Sequence, residues 1–217
     1  MTVHVLTVPG FHGSEAGHWQ TWLETTLPNA RRVTGIDWEQ PRLHRWANAI
    51  VQQLDSRPEP TLIVAHSFGC LASALAIATR PERVAGVIMV APADPERFSV
   101  LGLREGESSE KNQQEESIAR YLPEQSLDVM GLLIASNNDP WMQISHAFAW
   151  SQRWQLAFHN AGAVGHINCQ SGFGPWPLIK LFTESLCSIA DEVRQPLGQL
   201  VGDYGRQQLG VARFLYA

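Results

Sequence analysis

Three residues spread along the chain have the types and order needed for acyl transfer. Ser67 stands in Ala65-His66-Ser67-Phe68-Gly69, Asp139 in Asn137-Asn138-Asp139-Pro140, and His166 in Gly165-His166-Ile167-Asn168. A serine hydroxyl is a weak nucleophile until a base removes its proton, and an imidazole does this best when a carboxylate fixes its tautomer. In such a reaction Ser67 attacks a carbonyl carbon, His166 takes the proton and later returns it, and Asp139 orients the ring and stabilises the imidazolium. The chain order serine, acid, histidine is the order found where a nucleophile elbow carries the serine.

Each residue also has a plainer reading. Ser67 could be an ordinary helix N-cap, and Asp139 before Pro140 has the form of an N-cap with proline at the first helical position; one carboxylate can do both jobs. His159 is a rival base, but His166 is better placed because Gly162 and Gly165 give its loop freedom to reach back over the strand ends. His66 is not expected to be the base, since neighbouring side chains diverge at such a turn. The oxyanion formed on attack needs backbone donors. The Phe68 N–H, next after the nucleophile, is one; the Phe11 N–H, on the loop after the first strand, is the other, unless Pro9-Gly10 is simply a tight turn.

These side chains must be held by particular elements. Leu62-Ile63-Val64-Ala65 reads as a buried strand, and the helical pattern that follows Ser67 continues through Leu71, Leu75 and Ala78. A strand that turns sharply into a helix lifts the serine above the sheet edge and sets it at a helix N-terminus. The turn wants small residues two positions before and after the serine, and Ala65 and Gly69 meet that need. Periodicity predicts further strands over 3–8, 84–90, 129–136 and 155–158, and helices over 17–27, 43–54, 142–152 and 177–193. Near-continuous apolar strands alternating with helices indicate an α/β fold, a mostly parallel central sheet with helices on both faces in three layers. The polar stretch REGESSEKNQQEES, before IARYLP, reads as a solvated loop leading into one helix; leaning over the site as a small lid is the alternative, and it is too short for a cap domain. One domain is expected over residues 1–194, followed by a tail over 195–217 of unassigned role.

The composition narrows the function. The 217 residues are 44 % hydrophobic and 17 % charged, with a net charge of −5 and no basic run, which argues against nucleic-acid binding. Cys70, Cys169 and Cys187 are too few and too widely spaced for a disulfide framework or a zinc site, and read as small buried hydrophobes in a reducing compartment. The first residues, MTVHVLTVPG, carry no basic segment followed by a long apolar one, so neither a signal peptide nor a membrane span is expected, and the location is expected to be cytoplasmic.

Five stretches have a more specific likeness: VPGFHGSEAGHWQTW (8–22), DWEQP (37–41), VAHSFG (64–69), ASNNDP (135–140) and GHINCQSGFGPWP (165–177). Together they resemble the retinoblastoma-binding-protein-9-like serine hydrolases, a small lidless branch of the α/β-hydrolase superfamily. The likeness runs over roughly residues 1–190 and does not cover the tail. G-S-x-x-x-H-W and G-H-I-N-x-x-S-G-F-G are the most specific parts. The resemblance implies a Ser67, Asp139, His166 triad and a compact sheet without a large cap, and it leaves the substrate open. His18, Trp19, Trp38 and Trp176 read first as core or rim packing, with aromatic walls for a small apolar acyl group as the sharper alternative; His12, Trp38, Trp141 and Trp176 are the expected substrate contacts.

The expected activity is hydrolysis of small carboxylic esters, with amides or thioesters as variants, through an acyl-enzyme on Ser67 and without metal or organic cofactor. The expected partner is a small-molecule acyl substrate, with a protein partner or homodimer as further options. The alternative is a protein-interaction module on a hydrolase scaffold with little turnover.

Overall fold

The computed structural model describes residues 3–104 and 116–193. Among the described residues six strands form one sheet: β1 (His4–Val8), β2 (Ala30–Arg32), β3 (Thr61–His66), β4 (Val84–Val90), β7 (Gly131–Ala135) and β8 (Ala157–Asn160). Their spatial order is β2-β1-β3-β4-β7-β8. Every neighbouring pair in it is parallel. A second sheet is a small antiparallel hairpin, β5 (Phe98–Ser99) with β6 (Gly102–Leu103).

Side-chain alternation along the strands explains why both faces are dry. Ile63 and Ala65 of β3 enter one core with Val87 and Met89 of β4 and Leu133 of β7; α2 (Leu43–Asp55), α3 (Phe68–Thr79) and α4 (Ile144–Trp154) cover it. Leu62 and Val64, with Ile88, Val90 and Ile134, enter a second core under α1 (Trp19–Thr26) and α5 (Pro177–Val193). Successive residues of a strand point to opposite faces, so an unbroken apolar run is what a sheet covered twice requires. Leaving 25 cal/mol per Å² as the rough gain, each such buried Ile or Val contributes about 2 kcal/mol against exposure.

The chain runs from β1 outward to β2 and then returns to place β3 on the other side of β1. That reversal opens a crevice at the carboxyl ends of β1 and β3, where ligands bind in open parallel sheets. The loop bearing Phe11 and the turn bearing Ser67 both leave the sheet there.

The boundaries differ from expectation at identifiable places. The three-residue β2 carries two arginines at the sheet edge, so its sequence has no apolar run to betray it. The strand expected over 155–158 is β8, two residues later, because Gln155 adopts a left-handed conformation (φ 55°, ψ 40°) and caps α4. The helix expected from 142 begins at Ile144, since Asp139-Pro140-Trp141 is spent on a turn. IARYLP gives a short 3₁₀ turn, Ile118–Tyr121, and not a full helix. Most of the polar stretch before it, and the tail, lie outside the described residues. Among the described residues no helix is long and apolar enough to cross a membrane. The cysteines are unpaired; Cys70 is buried, whereas Cys169 and Cys187 are only partly so, which corrects the expectation for those two.

Candidate active site

Ser67 is the residue between the last position of β3 and the first of α3. Its backbone has φ 53° and ψ −126°, a region that a residue with a Cβ enters only under strain. The turn is possible because its neighbours are small. A Cβ on Gly69 would lie 2.3 Å from the Pro9 carbonyl oxygen and 2.5 Å from that of Val8. A Cβ on Gly10 would lie 2.6 Å from the Ser67 Cβ. The close approach of the β1 loop to the turn therefore depends on both glycines.

The structure brings the three distant residues together. Ser67 Oγ and His166 Nε2 are 2.9 Å apart, and the Asp139 carboxylate oxygens stand 2.8 and 2.9 Å from His166 Nδ1. With its proton on Nδ1 donated to Asp139, the ring presents an acceptor at Nε2 to the serine hydroxyl. The Asp139 side chain is 3 % exposed and that of His166 8 %, so water competes little for these bonds. Asp139 Oδ1 also accepts from the Trp141 N–H at 2.8 Å, a turn bond that fixes the carboxylate, although Asp139 is not the N-cap of α4.

The loops after β7 and β8 are laced to each other. Ser136 Oγ accepts from the Val164 N–H at 3.0 Å and donates to Asn138 Oδ1 at 2.9 Å, which in turn accepts from the Gly165 N–H at 2.7 Å. His166 N–H donates to Ser171 Oγ at 3.1 Å. Arg97 lies over the Trp141 ring at 4.2 Å and donates to the Pro140 carbonyl at 2.7 Å, bracing the acid loop from outside.

Two further histidines flank the base. His66 Nε2–H donates to the His166 carbonyl oxygen at 2.9 Å. Burial, then the neighbouring His166 and His18 rings, holds its pKa well below the ordinary histidine value. His18 accepts the Gln20 N–H at Nδ1 (3.1 Å) as the N-cap of α1, and burial lowers its pKa to about 4. Both are therefore neutral at pH 7, and a proton arriving on His166 meets no second cation beside it.

A cavity of about 200 Å³ opens above Ser67 and His166, walled by Phe11, His12, Glu15, His18 and Trp141 among others. His12 and Trp141, two of the expected substrate contacts, line it. The other two do not: Trp38 packs edge-on against Trp46, and Trp176 against Trp19 and Phe173. Those two tryptophans are packing residues, which corrects the expectation of aromatic walls there. Reasoning from the sequence missed Glu15, Asn168 and Gln170 as lining residues, and read His18 first as packing, with a wall of the acyl site as the alternative that its place here favours; Gly13–Trp19 and Gly165–Gly174, the most specific stretches, held them all. His159, the rival base, sits on β8 beside Phe182, away from the cavity.

Phe68 directly follows Ser67, and Phe11 lines the cavity above it. Phe68 is the first residue of α3, and the loop after β1 is pinned by bonds from His12 N–H to the Trp38 carbonyl (2.9 Å) and from Gly13 N–H to the Gly10 carbonyl (2.9 Å). Gln20 donates to the Val8 and Val64 carbonyls at 3.2 and 3.0 Å and accepts from Ser14 Oγ, tying this loop to the end of β3.

Several proteins of known structure are similar to this chain. A YdeN-like hydrolase of Pectobacterium atrosepticum is 32 % identical, superposes with a TM-score of 0.75, and aligns over 87 % of this chain and 92 % of its own. The ydeN gene product of Bacillus subtilis is 21 % identical, with a TM-score of 0.63 over 86 % of this chain and all of its own. Est1E of Butyrivibrio proteoclasticus, solved with ferulic acid, has 15 % identity and a TM-score of 0.59 over 88 % of each chain, a likeness of fold. No curated protein matches the sequence. The sheet order and these neighbours give an α/β-hydrolase fold with no large cap among the described residues. The family model described as serine hydrolase matches residues 5–184, and the chain belongs to that family.

Proposed function

We propose that the protein hydrolyses small carboxylic esters through an acyl-enzyme on Ser67, and that within its family it belongs with the retinoblastoma-binding-protein-9-like members. The observation that carries this reading is the unbroken hydrogen-bond chain from Ser67 through His166 to Asp139 at the floor of the cavity. Ser67 Oγ attacks the carbonyl carbon while its proton passes to His166 Nε2, and Asp139 accepts from Nδ1–H throughout. The negative oxygen of the tetrahedral adduct is held by the Phe11 and Phe68 N–H groups, each worth about 3 kcal/mol in such a role. His166 then gives the proton to the departing alkoxide. A water molecule, deprotonated by the same ring, attacks the acyl-enzyme and releases the acid. The strained backbone at Ser67 supports turnover over a purely binding role, because a docking scaffold has no use for it.

The test is the intact mass after reaction with a fluorophosphonate, for wild type, Ser67→Ala and His166→Ala. One adduct on wild type and none on either variant is expected. A folded wild type that takes no adduct overturns the proposal and turns attention to an interaction module.

A further inference from the structure

The wall of the cavity contains a hydrogen-bond donor that the chemistry above does not use. His18 accepts the Gln20 N–H at Nδ1, so the proton of its neutral ring is on Nε2. The residue is 3 % exposed and lines the cavity with Ser67 and His166, and its Nε2 is buried with no hydrogen-bond partner among the described residues. A buried N–H without an acceptor is unfavourable, and a ligand oxygen beside it relieves that cost. The ring is also well fixed: it caps α1 through Nδ1, and it stands edge-on to His66 at 5.0 Å between centroids. A donor held this rigidly discriminates between substrates, since an analogue lacking the acceptor leaves it unpaired.

We infer that His18 Nε2–H is a specificity-determining donor that selects small esters carrying an ether, hydroxyl or carbonyl oxygen close to the scissile carbonyl over hydrocarbon isosteres of the same length. The inference rests on the ester-hydrolase reading and deepens it by naming the substrate class. The other walls suit that class: Glu15, Asn168 and Gln170 line the same cavity, so polar side chains share it with the aromatic Phe11 and Trp141. No covalent step is added, and His18 keeps its proton throughout.

Two isosteric pairs test it. p-Nitrophenyl methoxyacetate against p-nitrophenyl butanoate places the extra oxygen on the acyl side; methoxyethyl acetate against butyl acetate places it on the alcohol side. Each kcat/KM is divided by the rate of hydroxide-catalysed hydrolysis to remove intrinsic reactivity. Wild type is expected to favour the oxygenated member of one pair by about tenfold, the value of one such bond. His18→Asn keeps a side-chain acceptor for the helix cap but no donor at Nε2. It is expected to lose that preference, the ratio between the oxygenated and hydrocarbon members falling about tenfold to near one whatever its absolute rate on either. The inference is overturned if wild type prefers neither oxygenated ester, or if His18→Asn slows both members equally, which is a structural effect only. The wild-type arm stands even if the variant does not fold. Fluorophosphonate labelling separates the two readings: labelled, active enzyme without the preference refutes His18 selection alone, and unlabelled, inactive enzyme refutes the hydrolase.

Discussion

His66, the residue immediately before the candidate nucleophile, donates from Nε2 to the backbone carbonyl of His166, the candidate base, across 2.9 Å. The turn that presents the serine thus also holds the loop that must meet it. A second donor works beside the first: Trp19 Nε1–H binds the Ile167 carbonyl at 2.9 Å. Ile167 has φ 50°, a left-handed conformation that a β-branched residue adopts only when its surroundings impose it. Two side-chain donors on successive carbonyls supply that constraint, so Gly13–Trp19 and Gly165–Gly174 are coupled through the site.

Removing the His66 donor is expected to loosen the base without unfolding the protein. His66→Phe keeps an aromatic ring in a buried slot and leaves the His166 carbonyl without its partner, a loss of about 1–3 kcal/mol. Urea unfolding should register that loss, and kcat on an activated ester should fall while KM changes little. An unchanged kcat would show that the Asp139 bond alone orients His166.

Ser67→Ala should abolish turnover, by about 10³-fold or more, with the fold retained. Ser67→Gly should be equally inactive but melt a few degrees higher than Ser67→Ala, because glycine tolerates the φ of 53° that alanine does not, a difference of about 1 kcal/mol. Differential scanning calorimetry of the two variants makes the comparison.

Asp139→Asn should lower kcat by about 10⁴-fold, since an amide cannot stabilise the imidazolium and can reverse the ring's tautomer. Its Oδ1 can still accept from the Trp141 N–H, so the melting temperature should change little. Steady-state kinetics beside thermal melts will show the two effects separately.

Gly69→Ala and Gly10→Ala should fail differently. The added methyl at Gly69 meets backbone carbonyls of the Val8-Pro9 segment, which cannot move without disturbing β1, and about 3 kcal/mol or more of stability should be lost. At Gly10 the obstacle is the Ser67 Cβ, so the turn that carries the nucleophile must itself shift, and activity should fall together with stability. Chemical denaturation and fluorophosphonate labelling rates distinguish them.

Stability should decline as the pH falls below the ordinary histidine range. Burial lowers the His18 pKa from 6.5 to about 4, so between those values the unfolded chain binds a proton that the folded chain refuses. Because the unfolded state holds more protons there, stability rises with pH and is lost on acidification, by about 2 kcal/mol from His18 at pH 5. His66 acts in the same direction through the same cause. Urea midpoints at pH 7.5 and pH 5 measure the decline, and His66→Phe should make it shallower.

The sequence alone determined the α/β layering and the identity of Ser67, Asp139 and His166 as the residues to watch. Continuous apolar runs such as Leu62–Ala65 and Val84–Val90 have no stable place except in a sheet covered on both faces, and the small residues around Ser67 are required by a turn with no room for larger ones. What only the tertiary structure decided was the company these residues keep. Trp38 and Trp176 were indistinguishable from Trp141 as aromatic letters, and the sheet sent them into packing while a turn anchored on Asp139 brought Trp141 to the cavity. His66 and His18 take their roles from partners far along the chain or from burial, and pattern reading sees neighbours within a few residues only. Local periodicity follows from backbone geometry. Which loops meet above a sheet edge follows from strand order, and that is settled by the packing of the whole chain.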